Sequence, residues 1–162
     1  MARVVDTNVG VVANGDSPQA DPACVEAAVR ALRSVQQNDL VVIDDGYHIL
    51  REYQRYLSPA GQPGPGHLFF SWVFSNQGNP DRCEQVRITP RAEDSEDFEE
   101  FPADSELAQF DRSDRKFVAV TVASEHHPVI LNATDTDWRA YREPLLAHGV
   151  RVVELCPQHV GE

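Results

Sequence analysis

In Leu40-Val41-Val42-Ile43 four consecutive apolar residues, three of them β-branched, stop at Asp44-Asp45-Gly46. An apolar run without polar alternation reads as a strand buried on both faces, as in a parallel sheet covered by helices. The next segment changes period. Ile49, Leu50, Tyr53 and Leu57 form a helical stripe that Asp44-Asp45-Gly46 is placed to cap and Pro59 to stop. The same order of strand, acidic turn and helix recurs on either side. Upstream, Arg3-Val4-Val5 is a short β-rich entry ended by Asp6-Thr7-Asn8, and a second short apolar stretch runs to the turn signal Asn14-Gly15. Residues 21–38 then read as a helix, with Asp21 as N-cap, Pro22 in the first position, and Val25, Ala28, Val29, Leu32 and Val35 on one face. Downstream, Val129 to Asn132 is a strand, Asp137 to His148 a helix closed by Gly149, and Val150 to Leu155 a last strand ended by Pro157. Strands alternating with helices predict a parallel sheet covered on both faces.

The middle of the chain is less regular. Residues 58–66 form a Gly/Pro-rich loop; His67 to Ser75 is apolar all round and reads as a helix, although a buried strand has the same pattern; Gln85 to Ile88 reads as a brief strand. Residues 93–106 hold eight acids and no base, and with few apolar residues they are expected to be a solvated loop or an edge insertion. Val118, Val120 and Val122 alternate like a strand, yet Ser113 before a run of charges resembles a helix N-cap.

A length of 162 residues suits one domain, 1–162. The net charge of −12 argues against a broad basic surface for nucleic acid, but the acidic stretch carries much of it and leaves only −4 elsewhere. No signal peptide and no membrane-spanning run is apparent, so a soluble cytoplasmic protein without a membrane partner is expected. Cys24, Cys83 and Cys156 are odd in number, far apart and in no Cys-x-x-Cys pattern; they read as reduced, buried thiols rather than a disulfide or a zinc site.

Ligand sites in open parallel sheets form beyond the carboxyl ends of the strands. Asp6 ends the first strand, Asp44 and Asp45 the second, and Asp135 and Asp137 follow Val129 to Asn132, so three strands deliver acids to one edge. Crowded carboxylates repel unless a cation neutralises them, and oxygen ligands without His or Cys suit Mg²⁺ or Mn²⁺. Asp44 and Asp111 read more simply as caps, and His126-His127 before Pro128 as a pair at a helix end rather than ligands.

Four segments resemble the PIN domain nucleases. Val4-Val5-Asp6-Thr7-Asn8-Val9 is similar to the family's opening strand and aspartate, and Ile49-Leu50-Arg51-Glu52-Tyr53-Gln54-Arg55 to its glutamate-bearing helix. Ser113-Asp114-Arg115-Lys116-Phe117-Val118-Ala119 resembles the motif in which an aspartate opens a helix, and Leu131 to Trp138 the closing strand with its aspartate pair. The resemblance covers about half the chain, in the family's order, and implies a three-layer α/β/α sandwich with a mostly parallel central sheet, in which residues 114–124 are helical. It also implies a metal-dependent endoribonuclease that hydrolyses phosphodiesters, in some relatives the toxin of a toxin-antitoxin pair. On that reading Asp6, Glu52, Asp114 and Asp135 are catalytic and bind Mg²⁺ or Mn²⁺, Asp137 completes the cluster, and Thr7 or Asn8 orients a ligand from behind. Arg51, Arg55, Arg112, Arg115 and Lys116 are near enough in sequence to touch substrate phosphates. An RNA substrate, a protein antitoxin and a homodimer are the partners implied. The alternatives are a non-catalytic PIN-like module that binds a basic partner and, from Asp135-Thr136-Asp137, a Mg²⁺-dependent phosphoesterase for small molecules.

Overall fold

The computed structural model describes residues 1–58 and 62–157. Its centre is a five-stranded, wholly parallel sheet in the order β3-β2-β1-β6-β7, built from β1 (Ala2–Val5), β2 (Leu40–Asp44), β3 (Cys83–Val86), β6 (Val129–Asn132) and β7 (Arg151–Glu154). Val4, Val5, Val41, Val42, Ile43 and Ile130 are buried, as unbroken apolar strands require. Helices α1 (Thr7–Ala13), α2 (Pro22–Asn38), α3 (His48–Leu57) and α4 (Pro65–Asn76) pack on one another, and α5 (Arg115–Ala123) lies against β1, β2 and β6. Two short helices, α6 (Asp137–Ala140) and α7 (Arg142–Ala147), lead into β7. The expected α/β/α sandwich is therefore present.

Local chemistry sets most boundaries. Asp21 accepts from the Cys24 amide at 2.8 Å with Pro22 behind it, the predicted start of α2. Asp44 accepts from the amides of His48 and Ile49, each at 2.9 Å, and so caps α3 from the end of β2 as expected. His67 to Ser75 is helical as read, but the helix begins earlier: Pro65 and Gly66 form its first turn, with the Gly66 amide donating to Asn14 at 2.7 Å. Gly66 is required there, because a Cβ would stand 2.3 Å from the Gly10 carbonyl oxygen. The rest of the predicted Gly/Pro loop falls partly on residues 59–61, outside the described residues.

Several expectations are corrected. The apolar stretch after Asp6, left without an assigned element by its pattern, is helix α1. The helix predicted over 137–148 is broken at Tyr141, because Pro144 has no amide for the Ala140 carbonyl and its ring would collide with it. Ser113 is not the cap of α5; Asp111 caps the preceding 3₁₀ turn, accepting from the Ser113 amide at 2.9 Å. Of the two readings of the acidic stretch, the solvated loop is corrected: its β5 (Asp94–Phe98) pairs antiparallel in a hairpin with β4 (Pro90–Arg91) just before it and packs on α5, with Phe98 and Phe101 in the core, followed by Leu107 and Phe110. Cys24 and Cys156 are disulfide-bonded, and only Cys83 among the described cysteines is free. All three are buried, as expected. Their separation of 132 residues hides a contact made only when the start of α2 meets the chain beyond the edge strand β7.

Candidate metal centre

The strand order reverses direction around β1, which places the ends of β1, β2 and β6 at one crevice. Asp6 leaves β1 as N-cap of α1, Asp114 opens α5, and Asp135 sits in the turn after β6. Carboxylate oxygens of these three lie within 4.8 Å of one another, and a second trio, Asp111, Asp114 and Asp137, meets the same limit. Asp114 belongs to both.

Asp6 is held by two donors, the Asn8 amide at 2.9 Å and the Trp138 indole N–H at 2.7 Å. Asn8 in turn joins the two loops that carry the acids. Its side-chain oxygen accepts from the amides of Ala133 at 2.9 Å and Thr134 at 3.2 Å, and its amide nitrogen donates to Asn132 at 2.8 Å. Asn132 donates to the Asp135 carbonyl at 2.7 Å and to Glu154 at 2.6 Å. The Asp137 amide donates to the Asp135 carboxylate at 2.9 Å. The cluster is thus braced by backbone and amide groups rather than by cations.

Burial decides the ionisation of these acids. Asp6 is pushed up to about 7, first by loss of water, then by the charges of Asp135 and Glu52 against the lowering effect of its two donors. Asp114 is pushed up to about 10, again chiefly by burial and then by Asp6 and Asp135, with which it shares a hydrogen bond. Asp137 and Glu154 are also raised by burial. Without a cation, the proton on Asp114 relieves the repulsion. A site of hard oxygen donors that must otherwise hold protons fits a divalent cation such as Mg²⁺ or Mn²⁺.

Glu52 stands apart from both trios. Thr7 donates its hydroxyl to it, and the Lys116 ammonium pairs with it at 2.8 Å. The next residue, Tyr53, donates to the Val5 carbonyl at 2.5 Å and fixes α3 against β1, so Glu52 remains near enough to raise Asp6. Arg51 and Arg55 are exposed, and Arg112 pairs with Asp94.

Arg115, read as a substrate contact, is engaged within the protein. It is buried, reaches Asp97 at 3.1 Å and the carbonyls of Ala108 and Phe110, and stacks 4.5 Å from the Phe101 ring centre. Its bonds fasten the hairpin. Asp44 is consumed as a cap, and Asp45 is exposed. His126 pairs with Glu84 at 2.7 Å. Asn132, Trp138 and Glu154 escaped notice as parts of the site. The carboxyl-end rule that found Asp6 would also have found Glu154 at the end of β7, whereas the Trp138 contact spans 132 residues and left no local sign.

No family model, curated protein or solved structure matches this chain.

Proposed function

We propose that this chain is a PIN-like, metal-dependent nuclease that hydrolyses phosphodiesters of RNA. The observation that carries the reading is the convergence of Asp6, Asp114 and Asp135, from three separate segments, within 4.8 Å at the carboxyl edge of a parallel sheet. A structural role alone does not account for burying acids that repel one another, since each raises the cost of ionising the next.

Asp6, Asp114 and Asp135 would hold the first divalent ion, and Asp111 and Asp137 extend the donor set outward through Asp114. When bound, such an ion supplies a water nucleophile at neutral pH and stabilises charge on the scissile phosphate. The chain's own groups prepare the ground. Asn8 and Trp138 fix the Asp6 carboxylate before any ligand arrives, and Thr7 and Lys116 fix Glu52 beside it. Lys116 also places a positive charge next to an otherwise acidic site, where a phosphate would approach. The toxin role and the antitoxin follow only from the family resemblance.

The test combines thermal unfolding with cleavage. Mn²⁺ added after EDTA should stabilise the wild type, by about 2.7 kcal/mol at a hundredfold excess over Kd, and should not stabilise Asp6→Asn. Single-stranded RNA should be cut by the wild type with Mn²⁺ and not by the variant. A wild type that neither gains stability nor cuts RNA would leave the non-catalytic interaction module as the better account.

A further inference from the structure

Beside the carboxylate cluster lies a cleft of about 440 Å³ between α3 and the acidic hairpin. It is lined by Arg51, Arg55 and Tyr56 of α3, by Arg112 and Lys116, and by Ser95, Glu96 and Phe98 of the hairpin. Glu52 lines the same cleft, accepts from Thr7 and lies near enough to Asp6 to raise it, and Arg112, Ser113 and Lys116 of the lining flank Asp114 in the chain, so the cleft neighbours the cluster. In a chain of net charge −12, four cations in one recess are a local exception. Two are committed, Lys116 to Glu52 and Arg112 to Asp94. Arg51 and Arg55 have no carboxylate partner among the described residues. Tyr56 is 51% exposed, with the Arg55 guanidinium over its ring, 5.2 Å from the centre.

From this arrangement, and resting on the nuclease reading above, we infer that the cleft seats one nucleotide of a single-stranded substrate, adjacent to the phosphate presented to the carboxylates. Arg51 and Arg55 take its phosphate and Tyr56 stacks on its base, while the hairpin closes the far side. Unpaired cations beside an exposed aromatic ring form the combination that binds single strands, because every base has a π-face and every linkage a charge. The volume falls within the range of small-ligand pockets, about 300–1,000 Å³, which suits a single nucleotide and not a base-paired duplex. A run of acidic residues would meet the same cations but has no planar group to stack on Tyr56. The hairpin wall belongs to the segment of this chain that has no counterpart in the PIN-like pattern, so the seat is a property of this protein.

The experiment measures binding of a fluorescein-labelled five-nucleotide RNA by anisotropy, in EDTA and at low ionic strength so that nothing is cut. The double variant R51A/R55A should bind at least tenfold more weakly, and its dependence of log Kd on log salt should be shallower by about 0.7, the value for one lost phosphate contact on a single strand. Y56A should weaken binding severalfold with the salt slope unchanged, because it removes stacking and not charge. All three residues are exposed, and matching melting curves would confirm that the fold is kept. Wild-type affinity in R51A/R55A, or displacement of the probe by a blunt duplex or a polyglutamate peptide as readily as by the unlabelled single strand, would overturn the inference. Mn²⁺ stabilisation of R51A/R55A separates the two readings. If it persists while RNA binding is unaffected, the cleft assignment alone fails. If wild type binds RNA through these residues but gains nothing from Mn²⁺ and cuts nothing, the nuclease reading fails and the cleft stands.

Discussion

A carboxyl group shut away from water holds its proton more tightly, and Asp6 and Asp114 are in that position with like charges beside them. Folding with these groups therefore favours the protonated form, and the sign of the pH dependence follows. Their contribution is intact below the unfolded value of 3.8, and for Asp6 it is lost as pH rises through about 7. In EDTA the protein should melt several degrees lower at about pH 8 than at about pH 5, and Asp6→Asn should melt higher than the wild type at the upper pH. A melting temperature that rises with pH in EDTA would contradict the buried, uncompensated cluster. Because a cation replaces those protons, the stabilisation by Mn²⁺ should grow over the same pH range. In the cleavage assay Asp6→Asn should lose activity by on the order of a hundredfold or more. That Asp6, Asp114 and Asp135 come to one edge was legible in the sequence because each follows a strand or opens a helix, a defined position of the chain. The diversion of Glu52 to Thr7 and Lys116 was not, since it depends on how closely α3 approaches α1 and α5.

At the scale of elements, α5 and the acidic hairpin explain each other. Phe117, Val118, Ala119, Val120 and Thr121 are all buried because the sheet lies against one side of the helix and β5 against another. A helix covered on two sides loses its amphipathic stripe, which is why its valines read as a strand by propensity. The hairpin is held by Arg115. Arg115→Ala should lower stability by about 1–3 kcal/mol, seen as a lower urea midpoint, since the carbonyls of Ala108 and Phe110 lose their donor and Asp97 is left with Arg91 alone. The salt dependence of RNA binding should keep its slope in that variant, where a lost phosphate contact would flatten it. The same hairpin accounts for the acidity that suggested a solvated stretch. Asp94, Asp97 and Asp104 are paired with Arg112, with Arg91 and Arg115, and with His148. The apolar anchors Phe98, Phe101 and Phe110 are spaced too irregularly for either strand or helix periodicity to reveal them.

At the scale of the whole molecule, the Cys24–Cys156 bond ties the first turn of α2 to the chain beyond the last strand, enclosing most of the protein in one loop. In the chain-entropy view a loop of this length stabilises by about 4–5 kcal/mol, so Cys156→Ser should lower the melting temperature well beyond the effect of a surface change. Titration of thiols in the denatured, unreduced protein should find one, Cys83; finding three would remove the bond. Among the described residues no helix is long and apolar enough to cross a membrane. The amino-acid sequence by itself determined the α/β alternation, the parallel sheet and the acids at its carboxyl edge, because these depend on local periodicity and on residues placed directly after apolar runs. Tertiary structure alone decided the disulfide, the tryptophan on Asp6, the burial of Arg115 and the basic cleft beside the carboxylates. The disulfide and the tryptophan contact each join residues 132 positions apart, and Arg115 meets Asp97 and the carbonyls of Ala108 and Phe110 only once the hairpin has folded onto α5, so none leaves a local pattern in the chain.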